Sequence, residues 1–179
     1  MRRSSQAEAA SLLVAAISAR SLVQAARRAG FIPLAVDFFA DTDTQELAYA
    51  CRKLGGSITR GFRAETLLRA LEALAKRAPS PVLGVVYGAG FEDRPELLRL
   101  IAKRWPVLGN DAATIERIKA PEIFFAALDR LGIAHPATVV TRPAKGAGWL
   151  AKKIGGAGGS HIVPARLTEG DSRLYYQER

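Results

Sequence analysis

The chain is short of sulfur and imidazole. It has one cysteine, Cys51, so no intrachain disulfide can form, and two histidines, His135 and His161, so no Cys/His metal cluster can be assembled. A lone thiol fits a reducing, cytoplasmic setting. Long apolar runs are missing as well, none reaching the roughly 20 residues that a membrane-crossing helix needs. Aromatic residues make up 7% of the sequence, and no basic run is interleaved with them, which argues against a nucleic-acid partner. Acids are in deficit: 26 Lys and Arg stand against 17 Asp and Glu, a formal charge of +9. The cations are scattered in pairs such as Arg27-Arg28 and Lys76-Arg77, as on a solvated basic surface or around a site for a polyanion such as ATP.

What remains is the composition of a folded globular protein, 49% hydrophobic and 24% charged. The start, Met1-Arg2-Arg3 followed by apolar Ala9 to Ile17, has some marks of a signal peptide. Gln6 and Glu8 interrupt it, and the run passes straight into a helical pattern. Residues 1–10 therefore read as a disordered leader. Leu12–Ile17 reads as a strand buried on both faces, as in a parallel sheet.

From there strand and helix alternate. Ser21 is placed to cap a helix through Arg28, Gly30 to end it, and Pro33–Phe38 to form the next strand. Thr44–Leu54 has Leu47, Ala50, Cys51 and Leu54 at helical spacing, with Cys51 as packing. A short strand over Ser57–Arg60, a helix over Ala64–Arg77, a strand over Val82–Tyr87 and a helix over Arg94–Arg104 follow. Pro106–Leu108 reads as a last short strand. Residues 11–109 thus read as an open parallel α/β sheet, Rossmann-like, whose ligands bind at the carboxyl ends of the strands. Those ends carry Ser18-Ala19-Arg20, Asp37 and Tyr87-Gly88-Ala89-Gly90-Phe91-Glu92. Asp37 stands where a dinucleotide-binding fold keeps its ribose acid. The first turn, however, has no G-x-G-x-x-G to let a pyrophosphate reach the helix.

Residues 110–179 read as a second, α+β unit. Helices over Asp111–Lys119 and Pro121–Leu131 lead to strands over Thr138–Thr141, Trp149–Lys153, His161–Val163 and Arg173–Gln177. Three segments stand out: Leu131-Gly132-Ile133-Ala134-His135-Pro136; Trp149-Leu150-Ala151-Lys152-Lys153-Ile154 running into Gly155-Gly156-Ala157-Gly158-Gly159-Ser160; and Tyr175-Tyr176-Gln177-Glu178-Arg179. In that order they resemble the ATP-grasp superfamily, whose helical segment ends in G-(I/V)-x-x-P. A strand with a lysine, a glycine-rich loop and a hinge strand beside adenine then follow. The wording of the first unit is also similar to a subgroup of predicted carboxylate–amine ligases of that superfamily.

The resemblance implies an ATP site of Lys152, the loop residues Gly155, Gly156, Ala157, Gly158, Gly159 and Ser160, and Gln177 and Glu178 on the hinge strand. A loop of glycines lets backbone N–H groups close on phosphates, and a lysine before it offers charge. Many members carry a second lysine early in the helical segment. Alignment puts Pro121 there, with Lys119 two residues away as a substitute only if the helix start shifts. The substrate would meet Tyr87, Gly88, Gly90 and Glu92, or Ser18 and Arg20 at a helix start where a carboxylate could bind. The implied reaction joins a small-molecule carboxylate to an amine through an acyl phosphate, with ATP and Mg²⁺. In the family the Mg²⁺ ligands come after the hinge strand, so the expectation is the N-terminal portion of such a ligase. The alternative is a non-catalytic ligand-binding or regulatory module of the same ancestry. No membrane is implied, and homo-oligomerisation is left open.

Overall fold

Every residue of Ser11–Ala15 (β1) is buried, as the apolar run from Leu12 requires, and the buried Ser11 hydroxyl is paired with that of Ser80. In the computed structural model, which describes residues 9–56, 60–159 and 161–179, β1 is an inner strand of a four-stranded parallel sheet. Its neighbours are β2 (Ile32–Asp37) and β4 (Val82–Tyr87), and β3 (Ala50–Lys53) lies beyond β2, in the order β3-β2-β1-β4. Helices α1 (Arg20–Arg28), α2 (Thr42–Leu47), α3 (Ala64–Ala75) and α4 (Pro95–Ala102) make the connections. α3 buries the expected stripe of Leu67, Leu68, Leu71 and Leu74, and Pro95 begins α4. The chain steps from β1 outward to β2 and β3, then returns to β4 on the other side of β1. The topological switch point therefore lies between β1 and β4.

Three local expectations for this unit are corrected. The helix expected over Thr44–Leu54 stops at Leu47, and Ala50–Lys53 is the edge strand β3. Leu34–Asp37 of β2 needs a backbone partner on that side, and β3 supplies it from Leu34↔Ala50 to Asp37↔Lys53. Ser21 caps nothing, because α1 begins one residue earlier and its N-cap, Ala19, is met by a carboxylate from elsewhere. Pro106–Leu108 contributes a single parallel bridge, Val107 to Val85, rather than a strand. The strand expected over Ser57–Arg60 lies mostly outside the described residues.

The chain divides into two compact units, ending at Asp111 and beginning at Ala112. The second contains α5 (Ala112–Lys119), α6 (Pro121–Arg130) and an antiparallel sheet of β5 (Thr138–Val139), β6 (Trp149–Lys153), β7 (Ile162–Pro164) and β8 (Leu174–Glu178). The strand order is β5-β8-β6-β7, so the last strand in sequence is an inner one, bonded on both sides. One face of this sheet is closed by Ala151, Tyr176 and Ala165 of a 3₁₀ turn, Ala165–Leu167, with Trp149 and Leu174 packed around them. Tyr175 points the other way by strand alternation and meets Phe125 of α6 with ring centres 6.2 Å apart. Among the described residues no helix is long and apolar enough to cross a membrane.

Candidate functional site

In the first unit the turns after β1 and β4 are tied together at the switch point. Ile17 N–H donates to the Ala89 carbonyl at 2.8 Å, and Gly88 N–H to the Ala15 carbonyl at 3.0 Å. Ser18 thus follows directly on a residue tied to the Gly88–Glu92 turn, whereas the Arg20 side chain turns to Asp41 and Asp43 after β2. Gly90 has φ +111°, and a Cβ there would lie 2.7 Å from the Phe62 ring and 3.0 Å from Ile17. Its role is close packing: Phe62 stacks between Phe38 and Phe91, and Phe91 meets Tyr87 edge-on.

The polar groups of these turns already have partners. Glu92 accepts the Gly90 N–H at 2.7 Å, and the Tyr87 hydroxyl donates to the Asn110 carbonyl at 2.7 Å. Burial, with the charges of Asp111 and Glu92, raises the Tyr87 pKa and keeps the phenol protonated. The exposed Arg20 guanidinium is 3.4 Å from Asp43 and 4.0 Å from Asp41, so a carboxylate arriving there competes with two resident acids. Asp37 is wholly buried, and its oxygens accept backbone N–H groups of Ala19, Phe39 and Ala40. It is a structural acid.

In the second unit the glycine loop leaves β6 with left-handed backbone at Gly155, Gly158 and Gly159, whose φ values are 76°, 74° and 79°. Gly156 answers a different need. A Cβ there would fall 2.4 Å from Cδ2 of His161, whose ring folds back over the loop and whose Nδ1 meets the Ala157 carbonyl at 3.2 Å. Because a carbonyl only accepts, that Nδ1 carries the proton. Ser160 lies outside the described residues. Lys119 reaches this loop without any shift of a helix start: it ends α5, and its Nζ donates to the Gly156 carbonyl at 3.3 Å. Ile118, Lys119, Pro121, Phe124, Phe125, Lys153, Gly155, Gly156 and Tyr175 line a cleft of about 210 Å³. That is below the roughly 300 Å³ at which ligand pockets usually begin, enough for part of a nucleotide.

Register decides which hinge-strand residues share a face with Lys152. Lys152 pairs with Tyr175, and Leu150 and Thr138 both pair with Gln177, so Lys152, Tyr175, Gln177 and Thr138 lie on the face toward Phe125. The Lys152 ammonium donates to Oε1 of Gln177. Glu178 pairs with Trp149 on the opposite face, and its N–H is used by the Ala137 carbonyl. The structure therefore joins Lys152 with Gln177 and leaves the Glu178 side chain apart. Thr138, Tyr175 and the two phenylalanines of α6 were not expected at the site. Tyr175 could have been found by pairing alternate residues of the last strand with Lys152.

The sequence matches no family model and no curated protein. Solved structures do match. N5-carboxyaminoimidazole ribonucleotide synthetase from Thermotoga maritima superposes with a TM-score of 0.62 at 14% identity, over 95% of this chain and 46% of that one. The corresponding synthase from Aspergillus clavatus, in complex with ADP and 5-aminoimidazole ribonucleotide, gives 0.61 at 15% identity, over 96% and 46%. The biotin carboxylase subunit of pyruvate carboxylase gives 0.54 at 13%, over 96% and 45%. The chain spans about half the length of these proteins and has the fold of the N-terminal portion of ATP-grasp enzymes.

Proposed function

We propose that this chain is the front part of an ATP-dependent ligase that joins a carboxylate to an amine. In that reaction a carboxylate oxygen takes the γ-phosphoryl group of ATP and ADP leaves. The amine nitrogen then attacks the acyl carbon, the C–O bond to phosphate breaks, and the amine proton is lost. The chain's own part is to grip the nucleotide and to present the carboxylate, which is catalysis by positioning and charge rather than by a protein nucleophile.

The observation that carries the reading is the contact of Lys119 with the Gly156 carbonyl. It brings an ammonium to the loop from a separate helix, while Lys152, whose ammonium donates to Gln177, stands on the sheet face that meets α6. A cation held against a loop with left-handed backbone at Gly155, Gly158 and Gly159 suits a polyanion. Lys119, Lys152 and the residues Gly155 to Ser160 are assigned to the phosphates, and Gln177 and Glu178 to the hinge strand at the adenine end. The turns holding Ser18, Arg20, Tyr87, Gly88, Gly90 and Glu92 are assigned to the carboxylate substrate. The resemblance puts the Mg²⁺ ligands after the hinge strand, so Mg²⁺ is assigned to no residue here and no step runs through it.

The test is calorimetric titration of the purified chain with ADP and with ATP. Lys119→Ala and Lys152→Ala are each expected to weaken binding roughly tenfold, as loss of a charge-assisted contact does. A wild-type chain that binds neither nucleotide, or variants that bind both unchanged, would overturn the reading. Nucleotide binding that persists with no turnover in the intact protein would favour the regulatory module.

A further inference from the structure

We propose that Gln177 is a positioning residue for Lys152, and that a chain of hydrogen bonds beginning at the Pro136 carbonyl decides which way its amide points. This rests on the nucleotide reading above and gives the Gln177 side chain a task other than contact with adenine.

The argument follows the protons. The Pro136 carbonyl has two lone pairs. His135 Nδ1 lies 2.9 Å from it, and the Thr138 hydroxyl donates to it at 2.9 Å. With its one proton committed, the Thr138 oxygen can only accept from other neighbours. Gln177 Nε2 donates to it at 3.2 Å. The amide is thereby turned so that Oε1 faces Lys152, whose ammonium donates to it. Reversed, the amide would set its N–H groups against an ammonium and its oxygen against a hydroxyl with no proton left to give. Neither contact survives, so a single orientation remains. The backbone holds the parts in place, since Gln177 pairs directly with both Thr138 and Leu150, and it is buried at 9% exposure.

An amide at this place does something a carboxylate would not. Its neutral oxygen takes one of the three ammonium protons and leaves two, with the full positive charge, for an anion. A glutamate would hold Lys152 in the same position but would cancel the charge that a phosphate has to find. The G-(I/V)-x-x-P turn ending at Pro136 and the lysine strand are thus connected through side chains, although Pro136 and Lys152 are 16 positions apart in the sequence.

The experiment uses the full chain and reads two quantities: the ¹⁵Nζ ammonium signal of Lys152, assigned by its loss in Lys152→Arg, and the affinity for ADP. In wild type the ammonium protons, held by Gln177, are expected to exchange slowly enough to be seen. Thr138→Val, which keeps the side-chain shape and removes the hydroxyl, and Gln177→Leu should each broaden that signal away and weaken ADP binding roughly tenfold. Thr138→Ser should restore both. Gln177→Glu should keep the Lys152 signal and still weaken ADP by a similar factor, which a merely structural role for Gln177 does not predict.

A Lys152 signal unmoved by both Thr138→Val and Gln177→Leu overturns the proposal whatever ADP does. So does a Gln177→Glu variant that binds ADP as tightly as wild type. Should Gln177→Leu fail to fold, Thr138→Val decides alone. If wild type does not bind ADP, the nucleotide reading falls, and the Lys152 signal still tests whether Gln177 holds the lysine.

Discussion

The carboxylate of Asp37, at the end of β2, accepts the backbone N–H of Ala19 at 3.2 Å, so one strand's end caps the helix that leaves the neighbouring strand. The same carboxylate takes the N–H of Phe39 at 3.2 Å and of Ala40 at 2.6 Å, the latter in the left-handed region at φ +46°. Asp37→Ala leaves these donors without their acceptor, and that of Ala19 is buried. It is expected to cost about 2–4 kcal/mol of stability, and Asp37→Asn about 1–2 kcal/mol, because one side-chain oxygen remains. Urea denaturation followed by far-UV circular dichroism checks this. An unchanged midpoint in Asp37→Ala would mean that the carboxylate is not the cap.

Gly156 is expected to tolerate no side chain. Its substitution by alanine places a carbon 2.4 Å from the His161 ring, which must swing away and give up its bond to the Ala157 carbonyl. The loop then loses the ring that folds it back, and limited proteolysis should cut between Gly155 and His161 several times faster. Cleavage at the wild-type rate would show that the ring does not brace the loop.

His135 predicts a pH dependence. Its Nδ1 meets the Pro136 carbonyl and its Nε2 meets Asp129 at 3.0 Å, and both partners only accept, so both bonds form when the ring is an imidazolium. The bond to the Pro136 carbonyl, joined by Asp129, raises its pKa against some desolvation. The unfolded value is about 6.5. A raised folded value gives stability that is fully present below the unfolded pKa and is lost as pH rises through the folded one. The melting temperature of wild type should exceed that of His135→Asn at pH 5.5, and the gap should close by pH 8.5. A gap constant across that range would mean that protonation plays no part.

Cys51 is expected to be a poor nucleophile. It packs half-buried against the cluster of Val14, Val23 and Ala48. Burial first, then the charges of Asp37 and Asp41, push its pKa up to about 11. At pH 8 only about one thiol in a thousand is then ionised. Maleimide labelling should be slow in the native chain and fast in urea. Fast labelling of the folded protein would contradict the packing.

Much of this was legible because residue type alone carried it. Leu12–Ile17 and Val82–Tyr87 are apolar runs of strand length, and they lie side by side in the parallel sheet, the first in the buried inner strand and the second in an edge strand with Leu83 exposed. The stretch around Leu47, Ala50, Cys51 and Leu54 was misread because four apolar residues at that spacing satisfy a helix locally. The unmet backbone groups of β2 are what make Ala50–Lys53 a strand, and those lie more than ten residues away.

The candidate site divides along the same line. A lysine, a run of glycines and a hinge segment with Gln177-Glu178 can be read by eye, since glycine is needed for left-handed backbone and lysine for charge. Faces and partners cannot. Nothing local in Leu174-Tyr175-Tyr176 shows that β8 is an inner strand, bonded by β6 on one side and by β5 on the other. The register of β8 on β6 sets Gln177 beside Lys152 and turns Glu178 away, and β5 closes the other side. It also supplies Thr138, which nothing in the local sequence marks as polar machinery. Lys119 reaches Gly156 across 37 residues for the same reason. The sequence determined which chemical groups are available and the backbone conformations they permit. Only the tertiary structure decided which of them meet, since strand register and side-chain face depend on backbone hydrogen bonds between segments far apart in the chain.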